Sequence, residues 1–556
     1  MKIPSAGDSL STRCKQLAGE HRWFLLVSAL FAVLVLSRIT WGLPLAVSAE
    51  TLSTWPVDTI APVRPLTEAF FLFSRDGTDP VVYPLLHFVV LDVFYGPYVA
   101  SQYVLGGFGS PSSEFPFGVE NTTAFFQHLT IIARAVSLAM ALGIIWSVYR
   151  ISEEVGNRRS AIMAAAFAGL LAPLTFYAGT SNLDVPYLFW SMLAVLQFVL
   201  AWKNGAARHY LLFGVFAAFA VATKDQAYGF FLALPFALLI RTRRIDGRLL
   251  AMGVAGVVAF ALGNNLLFGG LDGFLRHLEH AGTIHEELLL ATFPDMYTFH
   301  HQLLLLGQSG QIVVGMLGLG TTALIVLGLF RAVRDRRTVA LSLLLIVATY
   351  HVFVIMYAGV VLPRYLLGSV LVLLPFAGIA ADRLLERFEG RTALVAGGAL
   401  FSLGWQLILC VNLGMTLMFD SRYAMEDWIR DNLEPGSRIE TQVQHRYLPH
   451  LVDDYAIDLV GNALDVITYD TIASELKPEA LARRNPPYIL VLENLGVTGD
   501  PARQRPAGRR YFDKLLDGEL GYDVLARFET PSLLDYRQVT AGTRPTSVLL
   551  GRAAVD

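Results

Sequence analysis

The sequence predicts a mainly α protein: a polytopic membrane bundle of about eleven spans followed by a small C-terminal α/β extramembrane domain. Three observations carry that expectation. Of the 556 residues, 54% are hydrophobic and 16% are charged, against about 25% charged in a soluble domain. Apolar runs recur as far as residue 418 at the length a helix needs to cross about 30 Å of hydrocarbon. From Asp420 onward charge becomes dense and the apolar runs shorten to strand length. The net charge of −3 gives no ground for nucleic-acid binding.

The amino end carries Arg13, Lys15 and Arg22 ahead of an apolar run, as a signal peptide does. The run is about 20 residues long and lacks a well-placed Ala-x-Ala-like site, so an uncleaved first span is expected. The expected spans are 23–44, 125–149, 160–179, 184–202, 209–223, 227–240, 249–268, 310–330, 338–360, 366–382 and 393–418, with 209–223 and 227–240 short enough to form a broken hairpin. Every second connection is basic: Arg150, Arg158 and Arg159; Lys203 and Arg208; Arg241, Arg243, Arg244 and Arg248; Arg331, Arg334, Arg336 and Arg337; Arg383, Arg387 and Arg391. Positive short loops mark the cytoplasmic side. This puts residues 1–22 in the cytoplasm and makes 23–419 the membrane domain. Loops 45–124 and 269–309 and the domain 420–556 then lie outside.

Within the first outer loop, Tyr83–Val93 is too short to span and reads as an interfacial helix. Asn121-Thr-Thr is a glycosylation sequon on the same side. In the tail, Ala424–Leu433 reads as an amphipathic helix, and Arg438–Val443, Tyr488–Glu493 and Ser547–Gly551 as strands. Cys14 and Cys410 stand far apart and imply neither a disulfide framework nor a zinc site.

Four short polar fragments punctuate the outer ends of the spans: Trp55-Pro-Val-Asp58, Thr180-Ser-Asn-Leu-Asp-Val-Pro186, Ala222-Thr-Lys-Asp-Gln-Ala-Tyr228 and Leu362-Pro-Arg-Tyr365. With Ala133-Arg-Ala-Val-Ser-Leu138 and the charged tail, their order and sidedness resemble the GT-C superfamily of integral-membrane glycosyltransferases, most nearly the protein-mannosyltransferase-like and aminoarabinose-transferase-like enzymes. The resemblance covers roughly 45–390. It implies transfer of a sugar from an undecaprenyl- or dolichyl-phosphate carrier to a lipid, protein or glycan acceptor on the outer face of a bacterial inner membrane, with the endoplasmic reticulum membrane as the alternative. The family's first-loop signature is Asp-Glu or Asp-x-Asp, whereas Thr59 follows Asp58 here. Glu50, Glu68, Asp76 and Asp79 are therefore alternative acids in that loop.

Glycosyl transfer needs a base for the acceptor's proton and cations where the leaving phosphate gathers charge. The resemblance assigns the base to Asp58, whose bland reading is a turn or cap aspartate. Lys224 and Arg364 are the expected phosphate-binding cations. Lys224 reads alternatively as half of a Lys–Asp pair or a snorkelling helix end, and Arg364 as a headgroup anchor. Asp184 is either a helix cap or a side chain facing the site. Arg38, Arg64, His285 and Glu286 complete the candidates, with Arg75 and Arg276 as further cations. Arg38 and Arg134 are expected inside spans, Arg134 in a structural ion pair.

The spacing of His277 and His280 permits a metal, but no zinc-type pattern accompanies it and no cofactor is expected. A carrier-linked donor is already activated, which fits the lack of a Gly-rich phosphate loop. The rival readings are a membrane transporter or lipid flippase, which would show matched inverted repeats that this chain lacks, and a non-catalytic membrane scaffold.

Overall fold

A computed structural model describes residues 10–56, 59–71, 83–110, 112, 114–264, 266–284, 295–387, 392–460, 477–493, 506–534 and 545–553. The predicted fold class is the one observed. Helix α1 (Leu10–Leu36) kinks at His21 and is followed by α2 (Arg64–Phe71), α3 (Leu86–Val104) and α4 (Thr122–Val155). Next come α5 (Arg158–Gly169) and α6 (Ala172–Ala178), bent by 62°, then α7 (Asp184–Asn204) and α8 (Ala207–Val221). A 3₁₀ segment, Asp225–Phe230, leads into α9 (Leu234–Thr242), α10 (Gly247–Gly263) and α11 (Leu266–Ile284). The membrane series closes with α12 (Phe299–Arg334), α13 (Thr338–Tyr350), α14 (Met356–Ala358), α15 (Pro363–Arg387) and α16 (Thr392–Met418).

Each of the eleven expected spans contains helix, and the chain is a multi-pass membrane protein. Among the described residues six helices are long and apolar enough to cross alone, and a seventh if α5 and α6 make one bent span. His21–Leu36, Ala207–Val221 and Gly247–Gly263 are shorter apolar helices. Three expectations are corrected. The 227–240 run is split into the 3₁₀ segment and the nine-residue α9. The apolar helix of the first loop starts at Leu86 and continues through Pro97 to Val104. Helix α1 ends at Leu36, which leaves Arg38 in the following turn rather than inside a span.

Two units divide the chain. The first comprises Met1–Ser37, Glu68–Val90 and Ala135–Cys410. Its helix ends follow local chemistry: the Asn157 side chain accepts from Ser160 N–H at the start of α5, and Asp246 accepts from Arg248 and Leu249 N–H at the start of α10. Gly205 closes α7 at φ 64°, a conformation that favours glycine. A Cβ at Gly328 would overlap the carbonyl oxygen of Phe376, so α12 and α15 approach at backbone distance there. Such small-residue packing substitutes for the hydrophobic drive that lipid removes.

The second unit comprises Arg38–Thr67, Leu91–Arg134 and Val411–Asp556. Helix α17 (Ser421–Asn432) precedes a five-stranded sheet of order β2-β1-β3-β5-β4. The strands are β1 (Arg438–Thr441), β2 (Ala456–Leu459), β3 (Tyr488–Glu493), β4 (Tyr522–Glu529) and β5 (Thr546–Arg552). β1 runs parallel to β2 and β3, whereas β5 is antiparallel to β3 and β4. Alternate residues of β3 enter opposite cores. Leu490 and Leu492 pack with Met425 and Ile429, while Ile489 and Val491 pack with Leu481, Tyr511 and Phe512. Leu481 belongs to α18 (Pro478–Arg484), and Tyr511 and Phe512 to α19 (Pro506–Leu516). Asn121 accepts the N–H of Ala124 at the start of α4, so its side chain serves as a helix cap.

Candidate functional site

In the first unit, the turn between α6 and α7 meets the end of α8 through one buried ion pair. The Lys224 Nζ donates to Asp184 Oδ1 at 2.7 Å, with side-chain exposures of 15% and 2%. Asn182 completes the carboxylate: its Nδ2 donates to Asp184 Oδ2 at 2.9 Å, and its Oδ1 accepts the Asp184 N–H at 3.1 Å. Asp184 is the first residue of α7 and does not cap it; the cap position is Leu183. The alternative partner for Lys224, its neighbour Asp225, instead accepts from His277 Nε2 of α11 at 2.9 Å.

Lys224 sits 5.5 Å from the ring centroid of Tyr187, within cation–π range. Tyr187 packs on Phe230, and Phe230 on Tyr350 with centroids 4.5 Å apart. Tyr187 and Tyr350 are fully buried, and their hydroxyls face each other, with Gln226 beside that of Tyr187. Arg364 is the second residue of α15, its guanidinium 5.4 Å from the Tyr365 ring. Sequence reasoning missed Asn182, Tyr187 and Tyr350. Tyr187 was legible as the residue one helical turn from Asp184; Tyr350, inside an apolar run, carried no signal.

The second unit, taken by itself, holds Arg38 and Arg64. Arg38 is buried and packs near Gly414, while Arg64 opens α2 and is half-buried. Arg134 is fully buried and donates to the carbonyl oxygens of Ile39 and Trp41, the latter at 2.8 Å. Among the described residues these backbone contacts, and not an ion pair, hold it. Asp420 and Arg422 form a fully buried two-point pair at 2.9 and 2.6 Å. Trp41 Nε1 also donates to Asp420 Oδ2 at 3.1 Å, and the Arg422 guanidinium lies 3.7 Å from the centre of the Trp55 ring. Gly42, at φ 56°, has no room for a side chain against Trp55. These bonds fix the stem of the loop that carries Asp58. Thr54 and Thr59, bonded at 2.7 Å, flank that residue. Asp58, His285 and Glu286 themselves lie outside the described residues.

His450 joins the same cluster, its Nε2 donating to the Leu43 carbonyl at 3.0 Å. Burial is the main cause that lowers its pKa from the ordinary 6.5. From pH 6.5 down toward that lowered value the unfolded chain binds the extra proton, so this stabilisation is full above pH 6.5 and declines below it. The thermal midpoint should therefore fall between about pH 7 and pH 5, and His450→Gln should flatten the fall. An equal fall in that variant assigns the response to other groups.

Residues 116–265 match the family described as dolichyl-phosphate-mannose-protein mannosyltransferase. No curated protein sequence matches the chain. Among solved structures, the chain is similar to ArnT from Cupriavidus metallidurans in the apo state, at 15% identity over 96% of this chain and 98% of that one, with a TM-score of 0.47. It is also similar to the Archaeoglobus fulgidus oligosaccharyltransferase tethered with an acceptor peptide, at 10% identity over 89% and 72% of the two chains, with a TM-score of 0.48.

Proposed function

From the GT-C glycosyltransferase pattern carried by residues 116–265, we propose that this multi-pass membrane protein transfers a sugar from a polyprenyl-phosphate carrier to an acceptor on the outer face of the membrane. One observation carries the reading: the buried Asp184–Lys224 pair falls inside the matched segment, whose family is named for a dolichyl-phosphate sugar. An ammonium has three N–H donors. Asp184 takes one, which leaves others for the single charge of a phosphate diester.

In this mechanism Lys224 and Arg364 hold the donor phosphate and stabilise the charge that grows on it as the glycosidic bond breaks. Charge-assisted hydrogen bonds to phosphate oxygens are the chemistry both side chains supply. The Tyr187 ring, 5.5 Å from Lys224, orients the ammonium. Asp58 removes the acceptor's proton as the new glycosidic bond forms. The amino terminus is cytoplasmic in this reading and residues 420–556 face the acceptor side.

The test uses sealed vesicles of defined sidedness loaded with a panel of radiolabelled polyprenyl-phosphate sugars. Labelled product should form only where the face bearing residues 420–556 meets both donor and acceptor. Product formed from the opposite face reverses the topology. No product from any donor, in either orientation, removes the transferase reading.

A further inference from the structure

We propose that the second unit contains a subsite for an anionic, hydroxyl-bearing headgroup of the acceptor, seated in the pocket under the loop that leaves β1. The proposal deepens the transferase reading and rests on it. In the sheet order β2-β1-β3 the chain leaves β1 for one neighbour and later returns to the other. The crevice of an open parallel sheet lies at the carboxyl end of such a strand. Here the segment following Thr441 forms the wall of a small, partly open pocket lined by Thr51, Ser53, Trp55, His445, Arg446 and His450 among others.

The polar lining points to the ligand's charge. Arg446 Nε and His445 Nε2 are both buried and make no hydrogen bond to a described residue. The His445 ring is fixed from its other side, with Nδ1 2.6 Å from Glu50 Oε2, which leaves Nε2 as the atom for a ligand. Arg446 stacks over Tyr447 at 4.6 Å, so its guanidinium plane is oriented. An oriented guanidinium recognises phosphate or carboxylate, and Ser53 adds a hydroxyl for a sugar oxygen. Neither Lys224 nor Arg364 belongs to this lining.

The experiment is calorimetric titration of the full-length protein, in neutral-lipid nanodiscs, with inorganic phosphate, with glucuronate and with short-chain phosphatidylglycerol. Saturable one-site binding is expected. It should weaken about 10- to 100-fold in Arg446→Gln, the effect of losing one charge-assisted contact. Val452→Trp, which fills the pocket without altering its charge, should abolish it and decides the matter if Arg446→Gln does not fold. Binding of phosphatidylglycerol alone assigns the subsite to a lipid headgroup, whereas binding of the free anions assigns it to a soluble or glycan headgroup. Binding that is absent from the parent, or undiminished in both variants, overturns the proposal. A parent that turns over donor yet binds no anion refutes the subsite and keeps the transferase reading. One that binds anion at this pocket yet transfers nothing refutes the transferase reading.

Discussion

Asp58→Asn should lower turnover by about 10² to 10⁴, the usual contribution of a general base, with the folded protein recovered in normal yield. The amide keeps the size of the side chain and removes its basicity, so the loss should fall on kcat and leave the donor's KM nearly unchanged. The surroundings of the loop sharpen the comparison with the alternative acids. Glu50 is committed to His445 at 2.6 Å, which leaves it a poor candidate for accepting a substrate proton. Glu68 belongs to α2. Single-turnover measurement with donor in excess separates chemistry from binding. Near-parental turnover in Asp58→Asn would move the base to Glu68 or another acid of that loop.

Which parts of the molecule could be read from the sequence follows from burial. β3 was legible because a strand buried on both faces is an almost unbroken apolar run, Tyr488 to Leu492. β2 and β4 were missed because they are the edges of the sheet. Edge strands mix exposed and buried positions, and a bulge between Val524 and Ala526 breaks the alternation in β4. At the site, Asp184 stood out as an aspartate at a helix start and Lys224 as a charge interrupting an apolar stretch. Their partnership did not, because it joins residues 40 positions apart. The nearer acid, Asp225, offered a plausible partner, but Lys224 has extended backbone and Asp225 begins a 3₁₀ turn, so adjacency in sequence gives no pairing. The Asp420–Arg422 knot was hidden for a different reason: two charges near the start of a hydrophilic tail give no sign that both are fully buried.

Breaking the Asp184–Lys224 pair one residue at a time should damage both stability and donor use, and reversing it should separate the two. Lys224→Met removes the cation from a carboxylate that keeps Asn182 as a partner, and Asp184→Leu removes the carboxylate from a half-buried ammonium. Removing one member of a buried pair costs about 3–5 kcal/mol, so either single variant should unfold at a visibly lower temperature. In the double variant Asp184→Lys with Lys224→Asp the opposite charges meet again. Recovery should be incomplete, because a lysine at the first position of α7 opposes the helix dipole by about 0.3–1 kcal/mol. Donor use should not recover with stability, since the reversed pair places a carboxylate where the phosphate needs a cation. A lost charge-assisted contact, about 1.5–3 kcal/mol, corresponds to roughly a 10- to 150-fold rise in the donor's apparent constant. Thermal unfolding and donor titration on the same samples read both quantities. If the reversed pair restores donor use along with stability, Lys224 is a structural partner of Asp184, and the donor phosphate belongs to Arg364 and the other cations.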